Sequence, residues 1–193
     1  MSKIIAIMLL LCCGMMLFGC ADDNGRRKAE QQKTIVVTDS VGRKVELPYP
    51  LERVAVCNVY NAELITAVGA IDKIVGVDNY IFKDQSGFKN RFNEAQVFGI
   101  SQNAMNYEKL AELAPQAVII TGEGTWRDAQ EMLDRFGIKV IVINSYYTDQ
   151  FADNCRLIGR IFGREEQAEE LVNYFNDKLA YIQKQLQGVP RRS

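Results

Sequence analysis

Histidine is absent from all 193 residues. That absence removes a His-ligated zinc site, a Ser-His-Asp triad and a Cys-His dyad from the chemistry available within the chain. A surplus of either charge is missing too. The 23 Lys and Arg stand against 24 Asp and Glu, a formal net charge of −1, so no basic field exists to gather nucleic acid. Neither a GxGxxG fingerprint nor a P-loop occurs. Proline is scarce, with four in the chain, which leaves long stretches free to form regular elements. Hydrophobic residues make up 48%, enough for one domain with its own core and too much for disorder beyond short tails.

Cysteine is sparse once position is considered. Cys12, Cys13 and Cys20 lie in or at the end of the first apolar stretch, and only Cys57 and Cys155 remain. Two cysteines so far apart do not make a disulfide scaffold; they read as buried free thiols or as a single disulfide in an oxidising compartment.

The first twenty residues read MSKIIAIMLLLCCGMMLFGC. Lys3 gives a positive start, and an apolar run of about fifteen residues follows, short for a membrane span and right for a signal-peptide core. The run ends Leu17-Phe18-Gly19-Cys20. This resembles the bacterial lipobox, in which the cysteine sulfur receives a diacylglycerol before cleavage; Phe18 is bulkier than usual there. An uncleaved anchor or an ordinary secretory leader is the competing reading. Residues 1–19 are thus expected to be a lipoprotein signal peptide, with lipidation at Cys20. Residues 20–33, polar and charged, are expected to be a flexible tether.

Residues 34–47 alternate in hydropathy around Gly42 and predict a β-hairpin closed by Pro48 and Pro50. Short apolar runs then alternate with helical spacing. Strands are expected at 53–57, 73–77, 96–99, 117–121 and 139–144. Helices are expected at 61–70, within 78–93, from the cap Asn106 to 113, at 125–136 and at 148–162. The pattern predicts an α/β fold, a mostly parallel sheet flanked by helices over residues 34–163. A long helix over 164–187 follows, its apolar stripe running through Ala168, Leu171, Val172, Phe175, Leu179, Ile182 and Leu186.

Parallel sheets bind ligands beyond the carboxyl ends of their strands. Aromatic residues cluster at those ends: Tyr60, Tyr80, Phe82, Trp126, Tyr146 and Tyr147. Their faces suit a large, partly apolar ligand and their phenols its polar edge; packing of the domain rim is the competing reading. Asn58, Asn103 and Asn144 are candidate donors to carboxylates or amides, or turn caps. The Gly122-Glu123-Gly124 turn opens a helix and offers N–H groups to an anion, a weak signal. Cys57 reads more readily as a small buried residue than as a ligand contact. The acidic run at the start of the long helix is explained by the helix dipole.

Four segments carry a resemblance: VTDSVGRKVELP, LERVAVCN, NAELITAVGAIDKIVGVD and NYEKLAELAPQAVII. In that order they resemble the N-terminal lobe of the iron-chelate and cobalamin class of periplasmic solute-binding proteins of ABC importers. The resemblance implies two α/β lobes joined by one long helix, matched here by 164–187, with the C-terminal lobe absent from this sequence. It implies no enzymatic activity and no cofactor. Its partners would be an iron(III) chelate, haem or corrinoid, an ABC permease, and the membrane through the lipid anchor, at the cell envelope facing the periplasm or exterior. Members of the class dock on permease arginines through a glutamate on each lobe. Glu123, Asp128 and Glu131 lie in the corresponding region, with no single match. The alternatives are a lipid-anchored adaptor or scavenger without a transport role, and a flavodoxin-like enzyme.

Overall fold

The computed structural model describes residues 33–84 and 86–187. Cys20, the leader and the expected tether up to residue 32 lie outside the described residues. The alternating front segment forms β1 (Thr34–Thr38) and β2 (Lys44–Pro48), paired antiparallel with Val37 opposite Val45. Period-2 geometry turns Val37, Val45 and Leu47 inward and leaves Thr34, Lys44 and Glu46 in water.

The apolar runs form β3 (Val54–Val56), β4 (Ile74–Val77), β5 (Ala117–Ile120) and β6 (Lys139–Val142). They make one all-parallel sheet in the order β4-β3-β5-β6. The connections carry α1 (Val59–Ala67), α2 (Asn79–Lys83), α3 (Tyr107–Glu112) and α4 (Trp126–Asp134); α5 (Phe151–Phe162) and α6 (Glu165–Gln185) follow β6. Strand residues sort alternately onto two cores. Val54, Val56, Ile119 and Ile141 meet Ile65 of α1 and Ile158 of α5 on one face, together with the hairpin valines. Ala55, Val118, Ile120 and Val140 meet Leu110 of α3 and Leu133 of α4 on the other. A sheet covered on both faces needs continuous apolar strands, which is why these runs do not alternate in hydropathy.

The hairpin turn also closes the free edge of β6. Ser40 donates its N–H to the Val142 carbonyl (2.9 Å), and the Val142 N–H reaches the Asp39 carboxylate (3.3 Å). An unpaired strand edge is thereby covered.

Two expectations meet a different outcome. Residues 96–99 form no strand: Val97 makes a single bridge to Val77, and Gly99 bridges back to Met105. The chain turns there because Phe98 gives its carbonyl to the Asn106 N–H (2.7 Å) and its ring to the second core. The helix expected over 148–162 divides into a 3-10 turn, Thr148–Gln150, and α5. Cys57 and Cys155 are free and buried, each in a different core, which resolves the open disulfide reading.

Gly163, in the left-handed region at φ 64°, ends α5 and turns the chain into α6. The 21 residues of α6 span about 32 Å. Its first half packs on α5 through Ala168 and Val172, a stacked Phe151–Phe175 pair (4.1 Å) and an Arg156–Glu169 ion pair (2.6 Å).

Candidate functional site

Neighbouring strands β3 and β5 send their connections to opposite faces of the sheet, α1 to one and α4 to the other. The crevice between their carboxyl ends is a topological switch point. A cleft of about 980 Å³ opens there, at the upper end of the range for ligand sites. Its walls come from the loops after β3, β4 and β5 and from residues 101–103.

The loop after β3 is held in an unusual shape. Asn58 sits at φ 77° and caps α1, its Oδ1 accepting from the Tyr60 N–H (3.0 Å). Asparagine tolerates this conformation better than other residues with a Cβ. Its own N–H donates to the Asp78 carboxylate (3.0 Å), whose second oxygen accepts from the Ile81 N–H (3.0 Å). Asp78 is therefore a buried brace between the start of α1 and the start of α2. Burial pushes its carboxyl above the ordinary range, while hydrogen bonds from Ile81, Asn58 and Tyr80 pull in the other direction. The brace sets two tyrosines in the cleft: Tyr60 is 55% exposed and Tyr80 63%.

The far wall is held by Gln102. Its Oε1 accepts from both the Thr121 N–H (2.9 Å) and the Thr121 hydroxyl (2.8 Å), and its Nε2 donates to the Glu123 carbonyl. Asn103 lies beside it and accepts from the Thr125 hydroxyl (3.4 Å). Glu123 accepts from the Tyr146 phenol (3.1 Å), whose ring lies 4.3 Å from that of Tyr147. Burial first, then hydrogen bonds with Tyr147 and Glu123, hold the Tyr146 phenol well above its ordinary range.

Asn58, Tyr60, Tyr80 and Asn103 come together on this cleft. Tyr146 meets its rim through Glu123, with Tyr147 alongside. Phe82 packs against the first core, on the side of α2 away from Tyr80. Trp126 is 9% exposed in the second core, and the guanidinium groups of Arg43 (4.3 Å) and Arg127 (4.1 Å) both lie over its ring. Asn144 serves as a brace, accepting from the Gly122 N–H (2.7 Å). Burial, then the nearby Asp78, raises the Cys57 thiol well above its ordinary range, and it faces the second core.

Asp78, Gln102, Glu63 and Lys83 line the cleft without having been singled out in the sequence. Asp78 did carry a signal: it is the first polar residue after a buried strand and a helix-capping type. Gln102 carried none. Among the described residues no group of three His, Cys, Asp or Glu is placed to hold a metal ion, and no helix is long and apolar enough to cross a membrane.

A cleft at the carboxyl ends of a parallel sheet flanked by helices, followed by a long helix, is the arrangement of a periplasmic binding-protein fold. The chain belongs to the periplasmic binding protein family, whose profile matches residues 54–193, and that family places it in the periplasm or cell envelope. The same fold occurs in a periplasmic solute-binding protein from Veillonella parvula, 28% identical with TM-score 0.68, covering 83% of this chain and 50% of that one. It occurs in Staphylococcus aureus SirA, solved with staphyloferrin B, at 21% identity and TM-score 0.64, covering 78% and 50%. It occurs again in the molybdate-binding protein MolA of Haemophilus influenzae, at 20% identity and TM-score 0.68, covering 81% and 55%. The chain spans about half the length of these structures. No curated protein matches it in sequence.

Proposed function

We propose that this chain supplies one lobe of the substrate-binding component of an ABC importer. It captures an iron(III) chelate, haem or corrinoid for delivery to a membrane permease, and does no enzymatic work. A lipid on Cys20 holds it at the membrane surface, with residues 20–33 as tether, 34–163 as lobe and 164–187 as the helix leading to a second lobe. The observation that carries the reading is the switch-point cleft of about 980 Å³ with Tyr60 and Tyr80 exposed inside it. Its size suits a chelate or macrocycle, and its aromatic walls suit their apolar surfaces.

The test titrates the protein with ferric hydroxamate, catecholate and citrate chelates, haemin and cobinamide while amide resonances of the cleft are followed. At least one ligand is expected to perturb residues around Tyr60, Tyr80 and Asn103, and Tyr60→Ala with Tyr80→Ala to weaken it at least tenfold. A folded protein that answers to none of the panel would overturn the reading. For the anchor, Cys20→Ser is expected to release the protein from membranes; a variant that is processed at the leader and still fractionates with membranes would refute lipidation.

A further inference from the structure

The charge in the cleft is out of proportion to the chain. Acidic and basic residues are nearly balanced overall, 24 against 23. The cleft lining holds the carboxylates of Glu63, Asp78, Asp84 and Glu123 and, on the opposite side of the ledger, only Lys83. None of these five takes part in a salt bridge among the described residues; the pairs that do form lie elsewhere. Asp78 is buried and occupied by backbone N–H groups, so the charges that reach solvent are Glu63, Asp84, which also accepts from Ser86 and Gly87, and Glu123, which accepts from Tyr146, against the single cation of Lys83. Arginine, whose fork is the usual reader of carboxylate and phosphate, is missing from the lining.

The tyrosines point the same way. Cations sit over aromatic rings at Tyr49, Trp126 and Tyr174. The exposed faces of Tyr60 and Tyr80 have no such partner among the described residues. Unneutralised carboxylates beside open π faces make an electron-rich wall, and a concave site with low-dielectric walls concentrates that field.

We infer that the wall of the binding site carried by this lobe selects ligands with positive charge, such as a chelate bearing a free amine, and disfavours multiply anionic chelates and oxyanions. The inference rests on the binding role proposed above and names the class of ligand that this cleft takes.

A matched pair of probes isolates the charge. Gallium(III) desferrioxamine B carries one positive charge on its terminal amine. Its N-acetyl form is the same complex without that charge, and gallium keeps the spectra diamagnetic. Titrations of the chain followed by amide chemical shifts read dissociation constants into the millimolar range. The amine form is expected to bind about threefold to tenfold more tightly than the acetylated form. Raising salt from about 0.05 to 0.5 M is expected to shrink that ratio. Glu63→Gln with Glu123→Gln is expected to bring it within about twofold, with fold checked by amide dispersion; glutamine at 123 can still accept from Tyr146. Equal binding of the two forms, or tighter binding of gallium enterobactin or molybdate than of the amine form, overturns the charge preference and leaves the importer reading standing. Silence from both hydroxamate forms while another panel member binds also overturns it. Silence from the whole panel removes both.

Discussion

Asp39 holds together parts of the chain a hundred residues apart, and it does so from a fully buried position. Its carboxylate accepts from the Arg43 N–H (2.9 Å), the Val41 N–H (3.2 Å) and the Val142 N–H (3.3 Å), and it pairs with the Arg43 guanidinium at 2.6 Å. Arg43 goes on to the Val140 carbonyl and the Trp126 ring. Removing one partner of a buried pair strands the other charge, so Arg43→Ala is expected to cost about 2–4 kcal/mol by urea unfolding. The Asp39→Ala, Arg43→Ala double variant is expected to lose clearly less than the sum; strict additivity would refute the coupling. Asp78 makes a pH prediction. Burial raises its folded pKa above the ordinary 3.8, so the folded state holds the proton to higher pH than the unfolded chain. Its contribution is fully present below 3.8 and is lost as pH rises through the raised value. The stability of the wild type minus that of Asp78→Asn is expected to fall across that window. A difference that stays flat or rises would contradict the sign. The placement of Tyr60, Tyr80, Asn58 and Asn103 on the cleft was legible in the sequence because the strand-end rule needs only a strand and the residues after it. Trp126 was not: the first residue of an amphipathic helix looks the same whether it faces the cleft or the second core, and Arg43 arrives from far away to decide. Phe82 turns from the cleft to the first core for a local reason, since it lies two residues from Tyr80 and so on the opposite face of α2.

Elements are legible where one force sets them. Continuous apolar runs bounded by polar residues marked β3, β4, β5 and β6, and the sequence placed each within a few residues of where it lies. Strand order was not readable, because four short runs of Val, Ile and Ala offer no pairing code; the order comes from which helix covers which face. Residues 96–99 have strand composition, yet Phe98 gives its carbonyl to Asn106 and its ring to the second core, and a single bridge to Val77 is all the ladder that forms there. The meeting of α5 and α6 shows how a small residue sets an element's position. A Cβ on Gly159 would sit 2.5 Å from the Ala168 Cβ and 2.9 Å from the Arg164 carbonyl. On an exposed helix Gly→Ala gains about 1 kcal/mol. Here Gly159→Ala is expected to lose about 1–3 kcal/mol by urea unfolding, since the two helices must move apart. A stabilised variant would mean that the α5–α6 approach is looser than 2.5 Å implies.

Across the whole molecule, the first core ends where α6 leaves it. Its first half is anchored by Ala168, Val172 and Phe175, while Leu179, Ile182 and Leu186 are 41%, 49% and 57% exposed, although they continue the same stripe. At roughly 25 cal/mol per Å² of apolar surface, three half-exposed side chains leave a few kcal/mol of burial unrealised, comparable to a large part of a domain's net stability. Among the described residues no core side chain covers the distal turns, and helical turns held by propensity alone are marginal in water. Two outcomes follow, and both are measurable on a dilution series. At low concentration, amides beyond about residue 178 are expected to exchange with solvent far faster than those between 166 and 175, which share the stability of the first core. At high concentration the stripe is expected to find a second copy, so sedimentation should show reversible association, and Leu179→Gln with Ile182→Gln should abolish it. Exchange as slow at Leu186 as at Val172 in a protein that sediments as a monomer would mean that the distal helix is stabilised by something other than apolar cover.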